Sequence, residues 1–451
     1  MSTLADWLWN PFLSLLYLVL GVVFLWLTGA IAWRKSLRVL RAILRTDGSD
    51  YERGLLSHKK AFLTSIAATV GIGNLAGVGT AIHLGGPGAL FWMWVSALAG
   101  MTFRMTSTYM AVKHRPARTD SVLFATPMVY LEKYIKAPWR WITPVVAGLL
   151  LVQGLVLANI IQSNSVSDAL RSRFDIPSLM TAILLTLSVA IVLVGELRRI
   201  VEFSSAVVPW MILVYVGAGL LVLLGHPLRT MESLGLVFRC AFSPYSVTGG
   251  VVGYSVLAAM QFGVSRGVFS HGSGSAISPF LQGANEDHPA KSAFMAAITP
   301  VVDTLIVCTI TGLVILSTTY WQDSTGAFLT SRSFEAGVGF TGQLIVISCL
   351  VLFAFTTIVT YAYYSERCFQ YLGGKRTSAF RLFFVSLTFC GPFLDLPFIW
   401  SVSDILIGLL IVFHLFPLLY VMLLNLPTMR KDLSNHGRLT NEGSYSGVPF
   451  R

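Results

Sequence analysis

Long uncharged apolar runs recur along this chain and constrain its fold more than any other feature of the sequence. The first of them, Phe12 to Trp33, contains no Asp, Glu, Lys or Arg. A helix needs about 20 mostly apolar residues to cross a bilayer, where every backbone polar group must be satisfied internally. Only 12% of the 451 residues are charged, against about 25% in a soluble domain. The sequence therefore excludes the soluble-enzyme classes and predicts an all-α, polytopic membrane protein.

Ten further apolar runs follow, and together with the first they predict eleven transmembrane helices. They cover residues 60–84, 87–112, 141–168, 178–196, 204–225, 249–283, 291–319, 340–365, 379–394 and 401–425. The 12–33 run is too long for a signal-peptide core, and no basic residue precedes it. We expect it to be a retained anchor helix rather than a cleaved signal.

Basic residues are unevenly distributed between the predicted loops. Loops 34–60 and 113–140 and the tail after 425 fall on one side of an eleven-helix arrangement, and the loops of that side carry most of the 32 Lys and Arg residues. Because cytoplasmic loops are enriched in Lys and Arg, we predict an external N-terminus and a cytoplasmic C-terminus, in a plasma membrane of the bacterial inner-membrane type. The same distribution explains the net charge of +11 without a nucleic-acid partner.

The helices after the anchor divide into two sets of five. We assign residues 1–59 to the anchor helix and a basic cytoplasmic segment, 60–226 to a first five-helix repeat, 245–426 to a second, and 427–451 to a cytoplasmic tail. An odd number of crossings makes the two sets enter the membrane from opposite sides, as in the inverted repeats of secondary transporters.

Each set begins with a glycine-rich helix. The first contains Gly71-Ile72-Gly73-Asn74, and the sixth contains Phe262 to Gly267 followed by His271 to Ser275. Since glycine costs about 1 kcal/mol relative to alanine inside a helix, we predict that both helices are broken near the membrane midplane. There, freed N–H groups can bind a carboxylate and freed C=O groups a cation. For any single glycine the alternative is close helix packing.

The third helix of each set carries a polar patch. The patches are Asn159, Gln162, Ser163 and Asn164 in the first set, and Thr356, Thr357, Thr360 and Tyr361 in the second. Such side chains either bind a solute or form hydrogen bonds between helices. Because the predicted helix breaks recur at corresponding positions in the two sets, we expect a solute site near the midplane.

One long block makes the sequence recognisable. Val70 to Asn74 (VGIGN), continuing through Leu84 to Trp94 (LGGPGALFWMW), resembles the alanine or glycine:cation symporter family. Four further blocks resemble motifs of that family in the same order, at 158–164, 263–270, 302–309 and 353–358. The resemblance implies a leucine-transporter-like fold with one extra helix, and sodium-coupled symport of a small neutral amino acid such as alanine or glycine. It also implies Na⁺ as the coupling ion and no other cofactor.

The resemblance also implies where the substrate and the ion bind. It assigns substrate binding to Gly71, Ile72, Gly73, Asn74, Gln162, Phe262, Gly263, Ser265 and Tyr361. It assigns the sodium ion to the carbonyls of Ala67, Val70 and Phe353 and the hydroxyls of Thr356 and Thr357. A set of oxygen ligands suits a hard cation.

Three departures from the family pattern leave the substrate open. Ile72 stands where the family has threonine, Tyr361 where it has tryptophan, and a segment beginning with His271 where it has an acidic motif. The alternatives are a proton-coupled or uncoupled transporter, or a non-transporting receptor of the same fold, for another small solute. No converging nucleophile and base, metal-ligand set or P-loop appears in the sequence, which disfavours an enzyme or an ATP-driven pump.

Charged residues inside predicted helices are candidates for function. We expect Arg266 to form an ion pair with Asp303, either as a gate or as a purely structural contact. We expect Asp404 to lie at the N-terminal end of the last helix, where the helix dipole favours a negative charge. His271 is a candidate for a proton-linked role.

Overall fold

The computed structural model describes residues 8–9, 11–35, 56–116, 121–246, 253–285 and 288–439. Over these residues the protein is almost entirely helical, with one antiparallel pair of two-residue strands, β1 (Tyr245–Ser246) and β2 (Gly253–Tyr254). The predicted all-α class is confirmed. Residues 36–55 of the predicted basic segment and 440–451 of the predicted tail lie outside the described residues.

Most helices of the first half coincide with predicted apolar runs, but two of them, Met128–Tyr134 and Pro227–Phe242, lie outside these runs. In chain order they are α1 (Pro11–Thr28), α2 (His58–Thr69), α3 (Ala76–Gly85), α4 (Ala89–Lys113), α5 (Met128–Tyr134), α6 (Ile142–Leu155), α7 (Ile161–Phe174), α8 (Ser178–Leu193), α9 (Glu196–Gly225) and α10 (Pro227–Phe242). Short 3-10 turns lie at Ile72–Asn74 and Trp139–Trp141, and a π-helical turn at Val156–Ile160 joins α6 to α7. The 60–84 run is thus two helices with a break between them.

The second half begins after the strand pair. Its helices are α11 (Val256–His271), α12 (Pro279–Gln282), α13 (Pro289–Pro300), α14 (Thr309–Leu316), α15 (Gly326–Tyr371), α16 (Thr377–Cys390) and α17 (Leu396–Leu439). A π-helical segment, Val301–Cys308, joins α13 to α14, and 3-10 turns lie at Tyr320–Gln322 and Gly391–Phe393. Helix α15 is kinked where Val338 and Gly339 leave helical geometry, so the predicted 340–365 run begins at that kink.

Several of these helices have the dimensions of membrane spans. Within the described ranges, six helical stretches are long and apolar enough to cross a bilayer: Pro11–Thr28, Trp139–Phe174, Leu197–Gly225, Pro289–Leu316, Gly326–Tyr371 and Pro397–Asn435. The full count of eleven crossings and the inverted repeat remain predictions.

Segments predicted to lie on the basic side of the membrane meet at one end of the helix bundle. Three contacts join them: Lys35 Nζ donates to the Leu433 carbonyl at 3.2 Å, Lys113 lies 3.7 Å from Asp432, and Arg115 Nη1 donates to the Gly283 carbonyl at 3.1 Å. Since these segments are far apart in sequence, their meeting is what the alternating arrangement of helices requires.

Segments predicted to lie on the other side of the membrane also meet one another. The contacts there are Trp9 Nε1 to the Asp404 carbonyl at 2.7 Å, His83 Nδ1 to the Trp321 carbonyl at 2.9 Å, and Arg173 to Glu335 at 3.0 Å. Each of these three contacts joins two segments assigned to the same predicted side.

Helix α4 lies at the centre of the bundle, packed against α1, α11 and α13. Glycines on α11 allow its close approach: a Cβ on Gly263 would lie 2.4 Å from the Ala89 carbonyl oxygen, and one on Gly267 would lie 2.2 Å from Ser96 Oγ. These two glycines therefore serve helix packing, which was the alternative interpretation of each.

Candidate functional site

The first predicted break is present. Helix α2 ends at Thr69, Val70 is extended, and Gly71 has φ −143 and ψ −154 before the 3-10 turn of Ile72–Asn74 leads into α3. We call Val70 to Leu75 the unwound segment, and all of its residues are buried. A Cβ on Gly71 would lie 2.9 Å from Thr357 Oγ1 and 3.3 Å from Gln162 Oε1. Glycine is therefore needed here because two other helices approach the backbone.

The second break lies later in the sequence than the first glycine-rich stretch suggests. Helix α11 is regular through Phe262, Gly263 and Ser265 and ends at His271, where Gly272 adopts φ +59. Residues 272–278 then connect α11 to α12. The predicted break therefore falls in the second of the two stretches, His271 to Ser275, and the Phe262 to Gly267 stretch stays helical.

The residues of α11 that meet the unwound segment are Phe269 and Ser270. A Cβ on Gly73 would lie 2.8 Å from Ser270 Cα and 3.0 Å from Phe269 Cδ1. Sequence reasoning proposed Gly263 instead, which lies seven residues earlier on the same helix face. Ser270 lies two helical turns after Gly263, so extending the face that carries Gly263 along α11 would have identified Ser270.

Gln162 touches the unwound segment directly. It lies in α7, immediately after the π-helical turn, and its Oε1 accepts a hydrogen bond from the Ile72 N–H at 3.2 Å. Asn159 and Asn164 do something else, because their Nδ2 groups donate to the carbonyls of Phe384 at 2.7 Å and Gly391 at 2.8 Å. The structure thus separates one contact to the unwound segment from two contacts between helices.

The residues predicted to hold sodium come together at the end of α2. Thr357 Oγ1 lies 3.3 Å from the Ala67 carbonyl oxygen and 3.5 Å from that of Val70. Both carbonyls are released by the break, since the Gly71 N–H bonds to Asn74 Oδ1 and the Asn74 N–H bonds to the Gly71 carbonyl. Three oxygen atoms from two helices therefore converge, a donor set that fits a hard monovalent cation.

The other two members of the predicted sodium set lie beside this cluster on α15. Thr356 Oγ1 donates to the Phe353 carbonyl at 3.1 Å, a bond within its own helix. Tyr361, one of the predicted substrate residues, lies further along α15, where its hydroxyl would be 3.7 Å from a Cβ on Gly272. The Tyr361 hydroxyl therefore lies close to the second break.

A buried carboxylate joins the site, and its role there was not predicted. Asn74 Nδ2 donates to Asp303 Oδ1 at 2.8 Å, and Ser270 Oγ donates to Asp303 Oδ2 at 2.8 Å. Asp303 comes from the π-helical segment of the second half, so it links that segment to both α11 and the unwound segment. The local irregularity of that helix is not visible in an apolar run.

The predicted ion pair between Arg266 and Asp303 is wrong. Arg266 binds Asp404 instead, with Nη1 to Oδ1 at 3.0 Å and Nη2 to Oδ2 at 2.7 Å. Asp404 lies eight residues inside α17, where its carboxylate is a partner for α11 rather than a cap. Arg266 also stacks on the Trp400 ring, 4.7 Å from its centroid.

A second buried arginine connects the two broken helices. Arg104 of α4 donates through Nη1 to the His271 carbonyl at 2.8 Å and through Nη2 to Ser65 Oγ at 3.3 Å. Ser65 lies one turn before the end of α2, and His271 is the last residue of α11. Arg104 therefore ties together the two helix ends at which the backbone unwinds.

Comparison with known proteins gives one consistent family. The sequence profile described as "Sodium:alanine symporter family" matches residues 1–441. The "Sodium/alanine symporter AgcS" of Methanococcus maripaludis is 33% identical over 429 residues, covering 93% of each chain. An "Uncharacterized transporter" of Haemophilus influenzae is 35% identical over 420 residues, covering 91% of this chain and 90% of the other.

A solved structure shares the fold. A mutant of the manganese transporter of Eremococcus coleocola superposes with a TM-score of 0.54 over 88% of this chain and 89% of its own, at 13% identity. At that identity the likeness concerns architecture alone.

Proposed function

The chain belongs to the sodium:alanine symporter family of membrane transport proteins, and from this premise we propose that it couples the entry of Na⁺ to the uptake of a small neutral amino acid, alanine or glycine. The observation that carries the proposal is the convergence of Thr357 Oγ1 on the Ala67 and Val70 carbonyl oxygens, at 3.3 and 3.5 Å. A cation bound there would hold α15 against the end of α2. Sodium binding would thereby stabilise the unwound segment in the form that receives substrate.

The substrate would bind beside the ion, against the unwound segment. Its carboxylate would meet backbone N–H groups of Gly71 and Ile72, the second of which now bonds to Gln162 Oε1. Gly73 and Asn74 complete this wall of the site. A small substrate is expected because Ile72 is fully buried and the Gly71 backbone already lies close to Thr357 and Gln162.

The remaining residues of the predicted set have other places in the proposal. Phe262, Gly263 and Ser265 belong to a regular part of α11, and Tyr361 lies by the second break. We place Phe269 and Ser270 in the substrate site in preference to Gly263. Thr356 and Phe353 support the ion site from α15.

Transport would occur by alternating access between two five-helix sets inserted in opposite directions, with eleven crossings, an external N-terminus and a cytoplasmic C-terminus. Arg104 supports this arrangement because it holds the ends of α2 and α11 together. Discontinuous helices that meet near the midplane are the usual location of substrate and ion sites in transporters of this architecture.

Uptake into proteoliposomes tests the proposal. Purified protein is reconstituted and loaded with potassium buffer, and entry of labelled alanine, glycine, serine and glutamine is followed with an inward sodium gradient, an inward proton gradient, or neither. We expect alanine or glycine to accumulate with the sodium gradient alone. Accumulation driven only by the proton gradient would instead indicate a proton-coupled transporter. Equilibration of the substrate without any gradient would indicate an uncoupled one.

A further inference from the structure

The side-chain amide of Asn74 bridges the Gly71 N–H and the Asp303 carboxylate. Its Oδ1 accepts from the Gly71 N–H at 2.8 Å, and its Nδ2 donates to Asp303 Oδ1 at 2.8 Å. Asn74 is fully buried. The amide therefore presents a hydrogen-bond acceptor to the unwound segment and a donor to a carboxylate.

Asp303 is a buried carboxylate whose close partners are all neutral. Its Oδ2 accepts from Ser270 Oγ and from Thr304 Oγ1, each at 2.8 Å. Among the described residues no Lys, Arg or His nitrogen lies within 4 Å of it, and the charge of Arg104 acts on it from a greater distance. A buried carboxylate without a direct counter-ion is costly, and inside a membrane protein it marks a functional site.

The bridge has the dimensions of an amino acid's charged groups. The oxygen and nitrogen of a carboxamide are about 2.2 Å apart, and the nearest carboxylate oxygen and the ammonium nitrogen of an α-amino acid are about 2.7 Å apart. Both present an acceptor and a donor in the same order. A small zwitterion can therefore offer the Gly71 N–H and Asp303 the same acceptor and donor that the Asn74 amide offers them.

We propose that Asp303 is the group that binds the substrate's α-ammonium, and that the Asn74 amide occupies the site between Gly71 and Asp303 until substrate displaces it. This inference rests on the proposed function, because it specifies the ligand of that same site. It defines the ligand class as small zwitterions with an ammonium that carries N–H groups. The ammonium supplies the counter-ion that Asp303 otherwise lacks.

The arrangement of Ser270 supports this assignment. The backbone of Gly73 lies so close to Ser270 that a Cβ on Gly73 would be 2.8 Å from Ser270 Cα. Ser270 in turn holds Asp303 Oδ2, which leaves Oδ1 facing Asn74. The carboxylate is thus oriented toward the unwound segment by a contact that does not use Oδ1.

A comparison of two ligands across two variants tests the inference. Binding of alanine and of lactate, which has a hydroxyl in place of the ammonium, is measured by calorimetry or by displacement of labelled alanine, in wild type, Asp303→Asn and Thr304→Val. We expect Asp303→Asn to weaken the binding of alanine at least tenfold and the binding of lactate less than threefold. The ratio of the two affinities, which measures the preference for alanine, should then fall. Thr304→Val removes one hydroxyl partner of the carboxylate but no charge, and should keep the preference.

The outcomes separate this inference from the proposed function. If wild type binds none of alanine, glycine and serine, the proposed function fails. If wild type binds alanine and Asp303→Asn keeps the preference over lactate, the assignment of Asp303 is overturned while the function stands. Because Asp303→Asn can fail to fold, wild type is also tested with N,N,N-trimethylalanine, which has no N–H on its nitrogen. Binding equal to that of alanine would overturn the assignment without any mutation.

Discussion

Arg266 and Asp404 form a two-point ion pair between α11 and α17, with nitrogen-to-oxygen distances of 3.0 and 2.7 Å. Their side chains are only 8% and 12% exposed. Trp9 Nε1 donates to the Asp404 carbonyl, and the Phe269 and Trp400 rings lie 4.5 Å apart between centroids. Because a Cβ on Gly73 would lie 3.0 Å from Phe269 Cδ1, this cluster lies next to the proposed substrate site, toward the side predicted to be external.

The ion pair should contribute strongly to stability and should slow the release of substrate from the adjacent site. Removing one partner of a buried pair costs about 3–5 kcal/mol, since the other charge is left without a partner. We expect Asp404→Asn to lower the melting temperature of purified protein and to accelerate release of labelled alanine. The double exchange Arg266→Asp with Asp404→Arg should recover part of both losses. Equal melting temperatures for wild type and Asp404→Asn would show that the pair contributes little.

Sodium dependence should be most sensitive to Thr357. Its hydroxyl lies against two carbonyls released by the helix break, whereas Thr356 Oγ1 bonds to Phe353 within α15. We expect Thr357→Val to raise the sodium concentration for half-maximal alanine uptake at least tenfold, and Thr356→Val to raise it less. Thr360→Val is the matched control, because its hydroxyl donates to the Thr356 carbonyl at 2.7 Å and faces no released carbonyl. An unchanged sodium response in Thr357→Val would remove this oxygen cluster from the mechanism.

The predicted orientation is open to labelling with membrane-impermeant thiol reagents. Cys390 is exposed, so the background is a Cys390→Ser protein. The side chains of Lys59 and Gln322 are also exposed, and they lie on opposite sides of the predicted arrangement. In intact cells we expect Gln322→Cys to be labelled and Lys59→Cys to be labelled only after the membrane is permeabilised. The reverse pattern would invert the proposed topology.

The sequence predicted the first break from a local signal, two glycines beside an asparagine. Gln162 was assigned to the substrate through the family resemblance, and the structure places its amide oxygen on the Ile72 N–H of the unwound segment. For the second break the sequence named two stretches, Phe262 to Gly267 and His271 to Ser275. The break lies in the latter, because Gly263 and Gly267 serve close packing against α4. Glycine spacing alone does not distinguish a packing face from a backbone that unwinds.

Partners of buried charges were the least predictable part of the site. Arg266 was expected to meet Asp303, and it meets Asp404, which is 138 residues away. Asp303 instead faces Asn74 and Ser270 because its helix is π-helical there. A change in helical period rotates every later side chain about the helix axis. In a helix that is apolar on all faces, the sequence of apolar residues gives no sign of that rotation.

The close approach of the unwound segment to α11 gives a prediction with an internal control. A Cβ on Gly73 would lie 2.8 Å from Ser270 Cα, a backbone atom that cannot turn aside, whereas a Cβ on Gly77 of α3 would meet nothing within 4 Å. Gly73→Ala should therefore push the unwound segment away from Ser270 and Asp303 and abolish alanine uptake. Gly77→Ala should leave uptake unchanged and stabilise the helix by up to about 1 kcal/mol, because alanine is the better helix former.

Two measurements on Gly73→Ala and Gly77→Ala show whether a substitution affects folding or substrate binding. Melting of the purified proteins shows whether each is folded, and alanine binding by calorimetry shows whether the site survives. We expect folded Gly73→Ala to bind alanine at least tenfold more weakly than Gly77→Ala does. If the two variants bind alanine equally, the unwound segment accommodates a Cβ at position 73 beside Ser270. The substrate must then contact a different part of the broken helix.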